Sequence, residues 1–443
     1  MPPSWGPGFQ IHLPHFRAAL ASRFASRFAA RFAVSALPPS PPPAPHMGVF
    51  ARFMIAEFIS MIGAWMQMQA QQLVVEEHAS SSLEQAWVSF ATLMVIPLFG
   101  PWAGTTADRF DRRRILLAVI LIQALLSTFI GWKVQMGTLL LWHLVTIGFM
   151  MGVTHAFEGP AYSALIPELV PREKIARAFA LDRSVFHTAR IIGPALAGFA
   201  VARFGLASAF YANALSFIGP LIILFAIPPR PRGTDADEKL RRTAFIEGWR
   251  HVRSDAPTFR MVLISAANAF FCSPFVIVML TWYGKRTLSL TPGEVGWLMA
   301  FAGIGALTAS VSLLMLPHSS RELCVRLGVV LSVISMLILA GAQGFIVACA
   351  GILLLTLGLN FLYGISNQIV QERAPDPLRG RVSAIAGFSF VAVIPFSGLM
   401  TSWLESHFGM RRALVICACG YAVTLAALLF RKWSIGPRRA IAD

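Results

Sequence analysis

The chain has 443 residues, of which 56% are hydrophobic and only 13% charged, with a mean hydropathy of +0.65 and a formal net charge of +16. This balance is too apolar for an ordinary soluble enzyme and places the chain among integral membrane proteins. Its cations sit in short clusters between apolar runs rather than along one polar face, which argues against a nucleic-acid binder.

In chain order, residues 1–46 stand apart. RFASRFAARFA at 23–33 repeats arginine and phenylalanine without an acid, and PPSPPPAP at 38–45 must be extended or disordered. The tract fits an interfacial amphipathic anchor or a targeting peptide. The preferred reading is a disordered or misassigned extension ahead of a start at Met47. About three helical turns that end in a proline run have nothing to pack against.

Twelve apolar runs follow, each near the roughly 17–25 residues needed to cross a hydrocarbon core of about 30 Å. They fall at 50–74, 86–105, 115–132, 138–157, 178–202, 207–227, 258–282, 294–316, 323–341, 345–368, 383–404 and 413–430. With the region of Met47 cytoplasmic, 25 of the 37 lysines and arginines fall in inside segments and six in outside loops. Positively charged loops stay inside, so both termini are placed in the cytoplasm and the protein in the cell (inner) membrane. Cys272, Cys324, Cys349, Cys417 and Cys419 lie in or beside apolar runs without a CxxC pair, so neither a metal site nor a disulfide framework is indicated.

An internal repeat divides the chain. At a constant offset of 204 residues, Glu168, Pro171, Arg177, Ala180, Phe186, Phe204 and Gly205 recur as Glu372, Pro375, Arg381, Ala384, Phe390, Phe408 and Gly409. The expected organisation is a six-helix half over 47–227, a linker over 228–257, a second half over 258–432 and a tail over 433–443. Within the linker, 243–253 is expected to form a short surface helix. Duplicated halves place a site where they meet, near the bilayer midplane.

The stretch GPWAGTTADRFDRRRILL, at 100–117, packs two acids and four arginines between two apolar runs. Gly100, Ala103 and Gly104 permit close packing, while Asp108 and Asp111 can exchange ion pairs with neighbouring helix ends. Here the sequence resembles the major facilitator superfamily, whose loop signature is Gly-x-x-x-Asp-Arg-x-Gly-Arg-Arg. Gly104, Asp108, Arg109, Arg112 and Arg113 match it, and Asp111 stands where the second glycine belongs. The DRFDRR form is similar to the enterobactin-exporter-like branch, of the transmembrane secretion effector type. The resemblance runs from Met47 to about Phe430, including GPAYSALIPELVPREKIARAFAL at 159–181, RIIGPALAGF at 190–199 and QERAPDPLRGRVSAI at 371–385.

This resemblance implies an all-α integral membrane fold of twelve helices in two pseudo-symmetric halves, and a transporter rather than an enzyme. It also implies that the loop signature latches the halves in one state of an alternating-access cycle. A charge cluster at a moving seam can bias a two-state equilibrium. The alternative is that these arginines only enforce topology and bind anionic headgroups; Gly104 and the two aspartates favour the latch. Arg190, Gly193, Pro194 and Gly198 look like the end of the superfamily's exporter motif, permitting a kink and close helix approach. The second-half loop, with Glu372, Pro375, Arg379 and Arg381, repeats the first.

Charges within apolar runs are costly unless paired or wet. Glu57 and Asp182 are the candidate coupling residues; Arg183, His187 and Arg190 share a helix face that can contact an anionic or polar substrate. A static ion-pair network joining the two helices is the competing reading, and the preferred one for Asp182 and Arg183. Glu57, Ser60, Gln67 and Gln71 form a polar stripe on the first run, and Asn360, Tyr363 and Asn367 one on the tenth. Thr154 and Glu158, and Ser265 and Asn268, extend the lining to the fourth and seventh; His143 fits an interface near the outer leaflet better. The resembling superfamily lines its cavity with these four helices, although a single such residue is more often an interhelical hydrogen-bonding group. The arginine that many proton-driven exporters carry in the fourth helix is absent at 142–160, and no phosphate-cradling loop occurs.

The resulting expectation is a secondary transporter without cofactor, working as a monomer. It exports a siderophore-like or drug-like molecule by alternating access, in antiport with an ion, for which the proton is the first candidate. Nutrient uptake by symport and a non-transporting membrane scaffold or sensor are the alternatives.

Overall fold

A computed structural model describes residues 47–228, 238–315, 321–375 and 378–429. The expectations for 1–46, for the tail and for the first part of the linker lie outside the described residues.

The described residues fold into helices without strands. The first half contains α1 (Met47–His78), α2 (Ser82–Arg109), α3 (Arg112–Gln135), α4 (Leu141–Leu169), α5 (Ile175–Phe204), α6 (Ala207–Ser216) and α7 (Ile218–Ala226). After a connecting helix α8 (Glu238–Ser254) come α9 (Ala256–Cys272), α10 (Pro292–Met315), α11 (Arg321–Gly341), α12 (Phe345–Arg373), α13 (Arg379–Phe408) and α14 (Met410–Leu429).

Ten of the described segments are long and apolar enough to cross a membrane, α6 and α7 together making one of them. The expected spans at 138–157 and 258–282 are not among them, for different reasons. Helix α4 is long, but His143, His155 and Glu158 dilute its hydropathy. The expected helix at 258–282 is broken: α9 ends at Cys272, and Pro274–Ile277, Leu280–Trp282 and a π-turn at Tyr283–Thr287 complete the passage. Pro274 supplies no backbone N–H to bond back to α9, and π-turns frequently mark functional sites. The linker helix runs Glu238–Ser254, longer than the expected 243–253.

Helix ends follow local chemistry. Ser81 caps α2, its side chain accepting the Glu84 N–H, while Glu84 accepts the Ser80 N–H at 2.7 Å. Asp111 caps α3, accepting the Arg113 N–H at 3.0 Å. The 204-residue repeat is structural: α5 and α13 are each 30 residues long and stop at a glycine with positive φ, 82° at Gly205 and 79° at Gly409. A left-handed residue there ends a helix at little cost only if it lacks a Cβ.

Two seams join the halves. Along α5 and α10 the backbones touch: a Cβ on Gly198 would lie 3.0 Å from Gly293 Cα, and one on Gly296 would lie 2.5 Å from the Pro194 carbonyl oxygen. Along α2 and α13, Ser82 Oγ donates to the Ser402 carbonyl at 3.1 Å and Phe90 meets Phe396 edge-on at 5.6 Å. These contacts lie toward the end of the bundle opposite the α2–α3 turn. Large apolar side chains such as Ile346, Val423 and Phe225 face outward, as a lipid-embedded surface requires.

Candidate functional site: a two-carboxylate cavity

A cavity of about 370 Å³ lies within the first half, beside the seam. It runs along α1 from Glu57 to Val75, roughly 27 Å at 1.5 Å per residue. Helices α2, α3, α4 and α5 supply further walls, with Asn213 and Phe217 at the α6–α7 junction and Ile277 from the second half. Much of the wall is apolar, including Met61, Met68, Met151, Trp65, Phe186 and Phe217.

The polar wall is organised by two carboxylates. Glu158, on α4, accepts the Gln123 side-chain amide at 2.8 Å and faces His155 Nδ1 at 3.1 Å, one helical turn away. Gln123 is thereby oriented, and its amide nitrogen also lies 3.3 Å from Thr154 Oγ1. Glu57, on α1, is only 8% exposed and makes no hydrogen bond or ion pair among the described residues. Deeper in, the Asn213 amide donates to Gln67 at 2.8 Å, and Gln85 donates to Gln72 at 3.1 Å and to the Val278 carbonyl at 2.7 Å.

The end beyond Gln72 is shut by an ion pair across the halves. Arg286, on the π-turn, donates through Nε to Glu76 at 2.5 Å and through Nη2 to the Glu76 carbonyl at 3.2 Å, with its guanidinium over the Trp282 ring. The Trp282 indole in turn donates to Glu405 at 3.1 Å. At the opposite, arginine-rich end, four arginines among the described residues bond within their own half or to the linker helix and the turn after it. Arg112 donates to the Ala164 carbonyl and pairs with Glu168. Arg113 donates to the carbonyls of Leu224 at 2.6 Å and Phe225 at 3.0 Å. Arg373 grips Asp255 with two bonds of 2.8 and 2.7 Å, and Arg381 bonds Glu247 of α8 at 2.7 Å. Partial burial by itself would raise the Asp255 carboxyl, but the bonds from Arg373 and Thr258 outweigh it and hold this N-cap well below the usual carboxylate range.

The expected site residues distribute unevenly. Glu57, Gln67 and Gln71 line the cavity; Thr154 is buried beside it. Asp182 is buried against Tyr162, whose hydroxyl donates to it at 2.8 Å, with Arg183 3.7 Å away. Arg190 lies over the Trp65 ring at 5.4 Å and is not among the residues lining the cavity. Gly193 and Gly198 mark close approaches, Gly193 to Trp65 and Ile62 of α1, and Pro194 sits inside an uninterrupted α5. Gly104, Asp108 and Arg109 end α2 and Asp111 caps α3; the Asp108 side chain lies outside the described residues.

In the second half the lining is not assembled. Asn268 is fully buried, donating to the Leu359 carbonyl and accepting from Tyr421, both at 2.9 Å. Asn360 donates back to Thr356 within α12, Tyr363 packs on Phe390, and Asn367 stands one turn beyond. Glu372 ends α12, Pro375 follows it, and Arg379 donates to the Gln371 carbonyl at 3.2 Å. His143 binds the Leu140 N–H at the start of α4, away from the cavity. Sequence reasoning misses Gln123, His155, Trp65 and the Glu76–Arg286 pair. His155 alone carries a signal, one turn before Glu158 on the same face. Among the described residues, no cluster of three or more His, Cys, Asp or Glu is placed to hold a metal ion.

Solved structures of this architecture are transporters of the major facilitator type. A bacterial homologue of the lysosomal transporter Spinster, inward-facing, superposes with a TM-score of 0.68 at 14% identity, covering 88% of this chain and 98% of that one. A bacterial homologue of the iron transporter ferroportin, also inward-facing, gives 0.66 at 17%, covering 86% and 98%. Residues 41–438 match the model of the transmembrane secretion effector family, and the chain belongs to that family, which is one of transporters and not of enzymes. Its relatives include macrolide efflux protein A of Streptococcus pyogenes, 22% identical over 81% of this chain and 91% of that protein. The staphyloferrin A transporter of Staphylococcus aureus is 23% identical over 82% and 91%, and the multidrug efflux pump Tap of Mycolicibacterium fortuitum 22% over 76% and 84%.

Proposed function

We propose that this transporter exports a small organic molecule across the cell membrane by alternating access, in exchange for protons. One observation carries the reading: the cavity is shut at one end by contacts between the halves, whereas none of the bonds named at the other end joins one half to the other. Such an arrangement is one of two states whose populations a ligand can shift. With α4 and the broken α9 passage added to the ten apolar spans, the chain crosses twelve times, in halves of 47–227 and 258–432 joined by 228–257. Both termini lie in the cytoplasm with the arginine-rich end, which also meets anionic headgroups. The protein works as a monomer.

In the inward-open state Arg112 and Arg113 are held by their own half; closing that end would bring the signature loop against the other. Glu57 is the coupling residue, because a buried, unpartnered carboxylate gains most from a proton or a cation. Asp182 fits a static role beside Tyr162. The efflux relatives favour export over uptake. The test is gradient-driven efflux from proteoliposomes holding a panel of siderophores and drugs, with Glu57→Gln and Asp108→Asn compared to wild type. Efflux that needs the gradient and is lost in Glu57→Gln supports the reading; inserted protein that moves none of the panel contradicts it.

A further inference from the structure

The cavity's chemistry bears on which molecules it can hold, an inference that rests on the transport reading. Three titratable groups line it, Glu57, Glu158 and His155, and no lysine or arginine is among the lining residues. Glu158 already has Gln123 and His155 as partners. Glu57 has none among the described residues, is 8% exposed and opens into the cavity. A carboxylate so removed from water is poorly solvated, and a cationic ligand that enters supplies the counter-charge in place of a proton.

Around these groups the wall is soft and apolar, with Met61, Met68 and Met151 set against Trp65 and Phe186. Methionine adapts to irregular ligand shapes, and aromatic faces attract cations through the ring quadrupole. The volume of about 370 Å³ falls within the range of pockets for drug-sized ligands. An anionic chelator would instead meet two acidic side chains and no lysine or arginine among the lining residues. Arg190, the cation that could have received it, is set over Trp65.

We infer that the cavity is a binding site for a lipophilic organic cation, with Glu57 as the specificity-determining counter-ion and the methionine and aromatic wall taking the apolar body. This selects among the siderophore-like and drug-like substrate classes and excludes carboxylate-rich siderophores from this site.

Tetraphenylphosphonium and tetraphenylborate make a direct probe, having nearly the same shape and apolar surface with opposite charge. Binding of each to the full-length protein in neutral detergent is measured by equilibrium dialysis. The expected result is saturable phosphonium binding at least tenfold tighter than borate binding. Glu57→Gln should weaken phosphonium binding tenfold or more, while Glu57→Asp retains part of it and both variants elute as wild type on gel filtration. Equal affinity for the two ions, absence of phosphonium binding, or unchanged phosphonium affinity in folded Glu57→Gln would each overturn the assignment. The two readings fail separately: gradient-driven efflux of an anionic siderophore without phosphonium binding would sink the cation site and leave the transporter. Phosphonium binding with no efflux of any compound would do the reverse.

Discussion

Replacing Gly296 by valine would test whether the α5–α10 seam sets the state of the molecule. A Cβ at this position would lie 2.5 Å from the Pro194 carbonyl oxygen and 3.2 Å from Gly198 Cα, both backbone atoms that cannot rotate away. The seam must then open by roughly 0.5–1 Å, enough to forfeit a quarter to a half of each dispersion contact along it. Overpacking of this kind costs about 1–3 kcal/mol. On the alternating-access reading only the arrangement closed at this end makes the contact, so the cost falls on one state and shifts the ratio of states about 5–150-fold. The readout is a single cysteine at Gln71, which lines the cavity, in a background lacking the five native cysteines. A membrane-impermeant maleimide applied from the face of the α1–α2 turn should label it faster in Gly296→Val than in the parent. Unchanged labelling in folded Gly296→Val would refute the idea that this seam controls access.

Loss of the Glu76–Arg286 pair in Glu76→Gln should act in the same direction. Charge-assisted bonds are worth about 1.5–3 kcal/mol, and Arg286 is exposed enough to be solvated once released, so labelling at Gln71 should rise without loss of folding. Asn268→Leu should lower thermal stability in detergent by about 1–3 kcal/mol, because it removes two buried hydrogen bonds, one accepted from the Tyr421 hydroxyl and one donated to the Leu359 carbonyl. Below the melting point the affinity of the cavity should not change; a selective loss of affinity would mean that Asn268 touches ligand. Asp255 gives a pH prediction with a definite sign. Its carboxyl is held below the usual 3.8, so its stabilisation is fully present above that value and is lost as pH falls through the folded value. The melting-temperature difference between wild type and Asp255→Asn should therefore be flat from pH 7 to about 5 and shrink below about 4. A gap that widens on acidification would contradict the Asp255–Arg373 assignment.

Much of the architecture was legible because its determinants are local. Hydropathy over a window marks a lipid-crossing helix, and Gly205 and Gly409 fall at the same point of a repeat whose period can be read by eye. The same locality hid the break within 258–282: apolar composition continues through Pro274, and only the backbone shows the helix dividing there.

The site depended on contacts far apart in sequence. Polar residues on four helices suggested a lining shared by both halves, yet the structure builds the cavity almost wholly from the first half and spends Asn268 on a bond between α9, α12 and α14. An amide satisfied by a neighbouring carbonyl and an amide facing a wet cavity look alike in a sequence, because both are polar residues that the lipid phase excludes. The pair that shuts the cavity joins residues 210 positions apart, and Glu57 is set off from Asp182, which has Tyr162 and Arg183, by having no hydrogen bond or ion pair among the described residues. The sequence alone therefore determined the membrane class, the helices and the duplication. Which carboxylate was left without a partner among the described residues, on the wall of a cavity shut at one end, was decided by the packing of the first-half helices.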